Sequence, residues 1–116
     1  MNLDAVIEFC RSFRGATESE PFGPGDLVFK VGGKMFASVG TTMEPRLSVK
    51  CDPDLAEDLR RVYAAITPAP YMSKRHWNRV LLDGTVPAEE IRGMVRHSYE
   101  LVLGALPRAV RAGFEG

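Results

Sequence analysis

The segment Leu27-Val28-Phe29-Lys30-Val31-Gly32-Gly33-Lys34-Met35-Phe36-Ala37-Ser38-Val39 decides the fold class, because two strand-like runs flank a two-residue Gly-Gly turn. It predicts a β-hairpin in which Val31 lies opposite Lys34 and Phe29 lies opposite Phe36. The two rings then share one face of the hairpin. The other face carries Val28, Met35, Ala37 and Val39. Because a hairpin joins antiparallel strands, the sheet is expected to be antiparallel.

Further strand patterns lie on both sides of this hairpin. Residues 18–22 form a short strand-like run before the breaker Gly23-Pro24-Gly25, and residues 46–50 alternate between polar and apolar side chains. Residues 66–70 contain two prolines, which permit only an edge strand or an extended crossing, and residues 78–82 resume strand character. The sequence therefore predicts about six strands.

Three amphipathic helices are predicted around these strands. The first begins behind Asn2 as a cap, the second begins at Asp52-Pro53, and the third begins at Pro87 and ends near Leu106. Their expected buried stripes are Leu3, Val6, Ile7, Cys10 and Phe13; Leu55, Leu59 and Val62; and Ile91, Val95, Val102 and Leu106. Hairpins outnumber crossovers in this order, which predicts an α+β fold with the helices packed on an antiparallel sheet.

Length and composition predict one globular domain over residues 1–116, since 45% of the residues are hydrophobic and 26% are charged. No run approaches the roughly 20 apolar residues of a membrane span, and the first residues lack the pattern of a signal peptide. We therefore expect a cytoplasmic protein, with a monomer favoured. Cys10 and Cys51 form no disulfide framework and are expected to be small buried hydrophobes.

The net charge is zero, but the two halves of the chain differ in sign. Residues 1–58 hold six Lys or Arg and ten Asp or Glu, a balance of −4, whereas residues 59–116 hold nine and five, a balance of +4. Residues 59–82 contain no acid. A neutral chain is not held on DNA by global charge, so any contact with a polyanion requires a local basic patch.

The strongest functional signal is the basic-aromatic segment, residues 71–79, with the sequence Tyr71-Met72-Ser73-Lys74-Arg75-His76-Trp77-Asn78-Arg79. Cations that bind phosphate and rings that stack on bases are interleaved there, which favours contact with nucleic acid. The candidate contacts are Lys74, Arg75, His76, Trp77 and Arg79, with Arg60 and Arg61 extending the track. The alternative is a structural loop in which Trp77 fills the core and the cationic stems reach water.

Several separated motifs resemble the MmcQ/YjbR family over essentially the whole chain. They are Glu20-Pro21-Phe22-Gly23, the hairpin from Val28 to Ala37, Leu47-Ser48-Val49-Lys50-Cys51-Asp52-Pro53, the segment from Tyr71 to Asn78, and His97-Ser98-Tyr99-Glu100-Leu101-Val102. The resemblance implies a frataxin-like α+β sandwich, also compared with double-wing DNA-binding arrangements. It implies DNA as a partner only by structural analogy, because members are commonly labelled DNA-binding on that ground.

A second class of function stays open, namely a small-molecule or protein-interaction module. In it Phe22, Tyr71, Trp77 and Tyr99 would line an aromatic pocket, and Arg75 or His76 would pair with an anion. An enzyme ranks below both, since the sequence shows no catalytic constellation or cofactor loop. We expect no cofactor, and the spacing of His76, His97, Cys10 and Cys51 matches no standard metal site.

The pair His97-Ser98 does not read as a catalytic dyad. Adjacent side chains on a helix point about 100° apart, so a nucleophile and its base cannot meet there. We expect His97, Ser98 and Tyr99 instead to tie the last helix to the sheet or to the aromatic loop, with the Tyr99 hydroxyl finding a partner.

Overall fold

A computed structural model describes residues 1–114 of the chain as an α+β fold, as predicted. The helices are α1 (Leu3–Arg11), α2 (Pro53–Val62), α3 (Ala88–Ala105) and α4 (Arg108–Ala112). The strands are β1 (Thr17–Ser19), β2 (Asp26–Val31), β3 (Lys34–Gly40), β4 (Arg46–Lys50), β5 (Ile66–Pro68) and β6 (Trp77–Leu81). The short helix α4, after Pro107, is the element that the sequence patterns did not predict.

The six strands form one sheet in the order β1-β2-β3-β4-β6-β5, and every neighbouring pair is antiparallel. The proline-containing strand β5 lies at one edge, where a residue without an N–H interrupts no ladder. At the other edge β1 covers Thr17–Ser19 and not residues 18–22. The predicted antiparallel sheet of about six strands is confirmed.

The central hairpin follows the prediction at its turn and departs from it in the strands. Val31 pairs with Lys34, and Gly32 and Gly33 have φ values of 57° and 80°, which suit glycine. Phe29, however, pairs with Ala37 because a β-bulge leaves Phe36 without a partner in the register. Phe36 and Ala37 are therefore both buried in the core, and the predicted opposite faces for Phe29 and Ala37 were wrong.

All of the packed helices lie on one side of the sheet. Buried residues of α1, α2 and α3 belong to one core cluster with Leu47 and Val49 of β4. Arg46, Ser48 and Lys50 alternate with these two residues along β4, so they point to the opposite side. We call that side the helix-free face.

The predicted stripe of α2 was only partly right. Leu59 is buried, but Leu55 and Val62 are 41% and 69% exposed, and Ala56 supplies the second buried position. The reason is the location of α2 over the sheet margin, where it packs beside the edge strand β5. Only a narrow i, i+3 stripe of the helix is covered there.

All three residues fasten α3, but only Ser98 bonds to the sheet; His97 bonds to the cap of α2, and Tyr99 bonds to the segment after α1. Ser98 Oγ donates to Phe36 O (2.6 Å) and accepts from Lys50 N (2.9 Å), so it bridges α3 to two strands. His97 Nε2 accepts from the backbone N–H of Asp52 at 3.1 Å. Tyr99 donates its hydroxyl to Arg14 O at 2.6 Å. The prediction of a structural role for these residues is confirmed.

Both cysteines are buried, as expected. Burial raises the pKa of the Cys10 thiol to about 12 and that of Cys51 to about 11, with Asp52 adding to the second shift. Neither thiol is therefore poised to act as a thiolate near neutral pH. Within residues 1–114, no helix has the length and apolar character required to cross a membrane.

Candidate functional site

The basic-aromatic segment forms an exposed turn followed by the start of β6. Ser73 O accepts from the N–H groups of His76 (3.1 Å) and Trp77 (2.9 Å), which closes the turn. Lys74 and Arg75 are exposed at its tip, as predicted for an exposed turn. The segment is anchored to the sheet end, because His76 O accepts from Cys51 N at 2.7 Å. Two cations are thus held in solvent by an ordered backbone.

Arg60 lies against this turn and is held there by hydrogen bonds within the fold. Its Nε donates to the buried Asn78 Oδ1 at 2.7 Å, and its Nη2 donates to the carbonyl oxygen of Lys74. Five fixed donors make a guanidinium suited to satisfying several acceptors at once. Arg61 lies on α2 with its guanidinium on Asp58, on the side of the sheet that holds the helices. The structure thus brings Arg60 to the turn and leaves Arg61 on α2, and their contacts with nucleic acid stay predictions.

Trp77 is partly exposed at the end of the sheet. It pairs across the ladder with Lys50, and both residues line a cavity of about 390 Å³ with Lys34. The remaining lining comes from Met35 and from Val102, Ala105 and Leu106 near the end of α3. Trp77 is not among the buried core residues, so the alternative of a ring that fills the core is not what the fold adopts.

Arg79 lies apart from this end of the sheet, on the helix-free face. Its neighbour Asn78 faces α2, donating to Ala56 O, so Arg79 points the other way. It borders a cavity of about 520 Å³, which we call the open-face cavity. The cavity is lined by Phe22, Asp26, Ser38, Arg46, Ser48, Pro70, Tyr71, Met72 and Arg79. The Arg79 Nε–H is buried and has no acceptor among residues 1–114.

The four aromatic residues predicted to share one pocket are divided by the fold. Phe22 and Tyr71 both border the open-face cavity, although they come from loops at opposite edges of the sheet. Trp77 borders the cavity at the sheet end. Tyr99 packs against Phe13 and Phe36 in the core, with ring centroids 4.7 Å and 5.3 Å away. The predicted single pocket is wrong for Trp77 and Tyr99, because strand and helix faces separate them.

The sequence patterns missed Arg46, Ser38, Ser48 and Asp26 as cavity residues. The sequence holds part of the information: polar and apolar residues alternate over residues 46–50, which puts Arg46, Ser48 and Lys50 on one face. Alternation alone does not say whether helices cover that face. Ser38 pairs with Ser48, and Ser48 pairs with Arg79, so the floor of the cavity is one row of cross-strand neighbours.

Charge is unevenly distributed on the helix-free face. By strand alternation, its cations are Lys30, Arg46, Lys50 and Arg79, whereas the acid among the strand positions of this face is Asp26. Asp26 is paired with Arg46 at 3.7 Å. Among the strand positions of this face, four cations therefore stand against one acid, although the whole chain is neutral.

Comparisons of the sequence with a family model and with known proteins point to the same family. The YjbR family model matches residues 11–101. The chain is 31% identical to an uncharacterised protein YjbR of Escherichia coli K12 over 112 residues, 96% of this chain and 95% of that protein. It is 33% identical to an uncharacterised protein YbdF of Escherichia coli O157:H7 over 89 residues, 76% of this chain and 73% of that protein.

Two solved structures share the fold. The crystal structure of Deinococcus radiodurans protein DR2400 superposes with a TM-score of 0.90 at 38% identity, covering 97% of this chain and 87% of that one. The crystal structure of a Pseudomonas syringae protein gives a TM-score of 0.77 at 26% identity, covering 88% of this chain and 99% of that one.

Proposed function

This chain belongs to the YjbR family, and from that premise we propose that it binds nucleic acid weakly and without sequence preference through the basic-aromatic segment and the adjoining helix-free face. The observation that carries the proposal is the positive charge of a sheet face in a chain with no net charge. Phosphate contacts supply most of the affinity in nonspecific binding, and they require this kind of local surplus.

The exposed turn adds two cations immediately before β6. Lys74 and Arg75 carry no ion pair within residues 1–114, so both are free to contact phosphate oxygens. Arg60 holds the turn from below, which reduces the entropy lost when the tip binds. Lys50 lies opposite Trp77 in the β4–β6 ladder, and Trp77 follows Arg75 by two residues in the chain.

Trp77 supplies the aromatic component. It is partly exposed and lies opposite Lys50, so a base stacked on its ring would have a phosphate-binding cation beside it. Such stacking needs an unpaired base, whereas phosphate contacts do not. We therefore expect single strands to bind at least as well as duplex DNA.

The test measures fluorescence anisotropy of labelled single-stranded and duplex DNA at about 50 mM and about 200 mM salt. The test variant is K74Q/R75Q, and the matched control is R61Q/R92Q, which removes the same charge from arginines paired with Asp58 and Glu89 on helices. We expect dissociation constants of roughly 10⁻⁴ to 10⁻⁶ M for the wild type, rising with salt. K74Q/R75Q should lower the salt slope by about one for each phosphate interaction that the substitutions remove.

Two results would contradict this proposal. Equal weakening by K74Q/R75Q and R61Q/R92Q would assign the binding to net charge and not to this segment. Absence of binding at low salt and high protein concentration would remove nucleic acid as the ligand.

A further inference from the structure

We propose that the open-face cavity is a binding site for a small planar anion, with its carboxylate or phosphate on Arg79 and its flat ring between Phe22 and Tyr71. This site goes beyond nucleic-acid binding: it shares Tyr71 and Arg79 with the surface proposed above, whereas Lys74 and Arg75 lie outside the cavity lining. The volume of about 520 Å³ falls within the range of pockets that hold small molecules.

The charge of the lining favours an anionic group. Arg46 is engaged on three sides: it pairs with Asp26 at 3.7 Å, and its Nη1 donates to the backbone oxygens of Thr42 (3.0 Å) and Glu44 (3.2 Å). Asp26 is thereby neutralised, and Arg79 remains as the uncompensated charge of the lining. Glu44 borders a shallower depression on the other side of Arg79, but the described residues show no ion pair between the two.

The hydrogen-bonding capacity of the floor is unused. The Arg79 Nε–H is buried without an acceptor, which is a costly state for a charged donor unless a partner fills it. The hydroxyls of Ser38 and Ser48 also make no hydrogen bond within residues 1–114, and Ser48 is the cross-strand neighbour of Arg79. A guanidinium beside two hydroxyls is a donor set that suits a carboxylate or phosphate oxygen.

The rim consists of two aromatic rings that the fold does not bury. Phe22 is 76% exposed and Tyr71 is fully exposed, yet they come from the β1–β2 and β5–β6 loops and border one cavity. Tyr71 has φ of 65°, a left-handed conformation that a non-glycine residue seldom adopts. Neither ring stabilises the core, whereas two rings at one mouth suit a flat ligand by stacking.

The experiment titrates ¹⁵N-labelled protein with 2-naphthoate and 2-naphthyl phosphate, and with the neutral 2-naphthylmethanol as the charge control. We expect saturable amide shifts at Ser38, Ser48 and Arg79 with at least one anion, and weaker binding of the neutral compound. The two anions distinguish a carboxylate ligand from a phosphate ligand. R79Q should weaken anion binding by about tenfold or more, since it removes a charge-assisted hydrogen bond.

F22A provides a second variant, because the Phe22 side chain is 76% exposed and we expect the substitution to change stability by no more than about 0.5 kcal/mol. It should also weaken binding, whereas K74Q/R75Q should leave it unchanged. The inference is overturned if neither anion shifts these amides, if the neutral compound binds as tightly, or if F22A and R79Q bind like the wild type. Loss of DNA binding in K74Q/R75Q with retained naphthoate binding would separate the two sites.

Discussion

Ser98 is the residue on which the contact between the long helix and the sheet is centred. It is fully buried, and its one hydroxyl serves as donor to Phe36 and acceptor from Lys50. The Phe36 carbonyl lies at the β-bulge, where the regular ladder is interrupted. The hydroxyl therefore satisfies backbone groups that the sheet leaves open at this point.

We predict that Ser98→Ala lowers the free energy of unfolding by about 1–3 kcal/mol, since it leaves a buried donor and a buried acceptor without their partner. Urea denaturation measures this change. Ser48→Ala is the matched control, because Ser48 lies on the helix-free face without a hydrogen bond in residues 1–114, and we expect a change within about 0.5 kcal/mol. Equal effects of the two substitutions would contradict the assignment.

At the scale of elements, α2 controls the shape of the loop between β5 and β6. Arg60 extends from this helix to Asn78 of β6 and to the carbonyl oxygen of Lys74 in the loop. A third, longer bond runs from its Nη2 to Trp77 O at 3.5 Å. The helix thus holds the basic-aromatic segment in place through a single arginine.

We predict that Arg60→Gln speeds amide hydrogen exchange at His76 and Trp77 by about tenfold or more, because the turn loses its charged donor. Amides in the middle of α3, such as Val95, should exchange as in the wild type. The control is Arg61→Gln on the same helix, which removes only an exposed ion pair with Asp58. Unchanged exchange in Arg60→Gln would mean that the turn holds its shape without α2.

At the scale of the whole molecule, one core joins the sheet to α1, α2 and α3. The helices cover one side of that sheet, and the loops at its two edges border one cavity on the other side. Trp77 lies on β6, between β4 and β5, so its surroundings depend on the assembled sheet. The fluorescence of Trp77, the one tryptophan of the chain, should therefore follow the unfolding of the whole domain.

We predict that unfolding in urea is two-state, with the Trp77 fluorescence transition coinciding with the far-ultraviolet circular dichroism transition. The physical reason is that β6 is hydrogen-bonded on both sides and contributes Val80 to the common core. A fluorescence midpoint at lower urea would show that residues 71–79 unfold before the rest, and that the basic-aromatic segment is not anchored as its hydrogen bonds indicate.

The sequence by itself determined the α+β class, the antiparallel sheet, the Gly32-Gly33 turn and the capped helix starts at Asn2 and Asp52. These depend on local periodicity, turn chemistry and capping, which neighbouring residues fix. Only the tertiary structure decided the bulge at Phe36, the inward direction of Arg60, and the meeting of Phe22 with Tyr71 across the sheet. Each depends on which face the helices cover and on contacts between residues far apart in the chain, which no local pattern specifies.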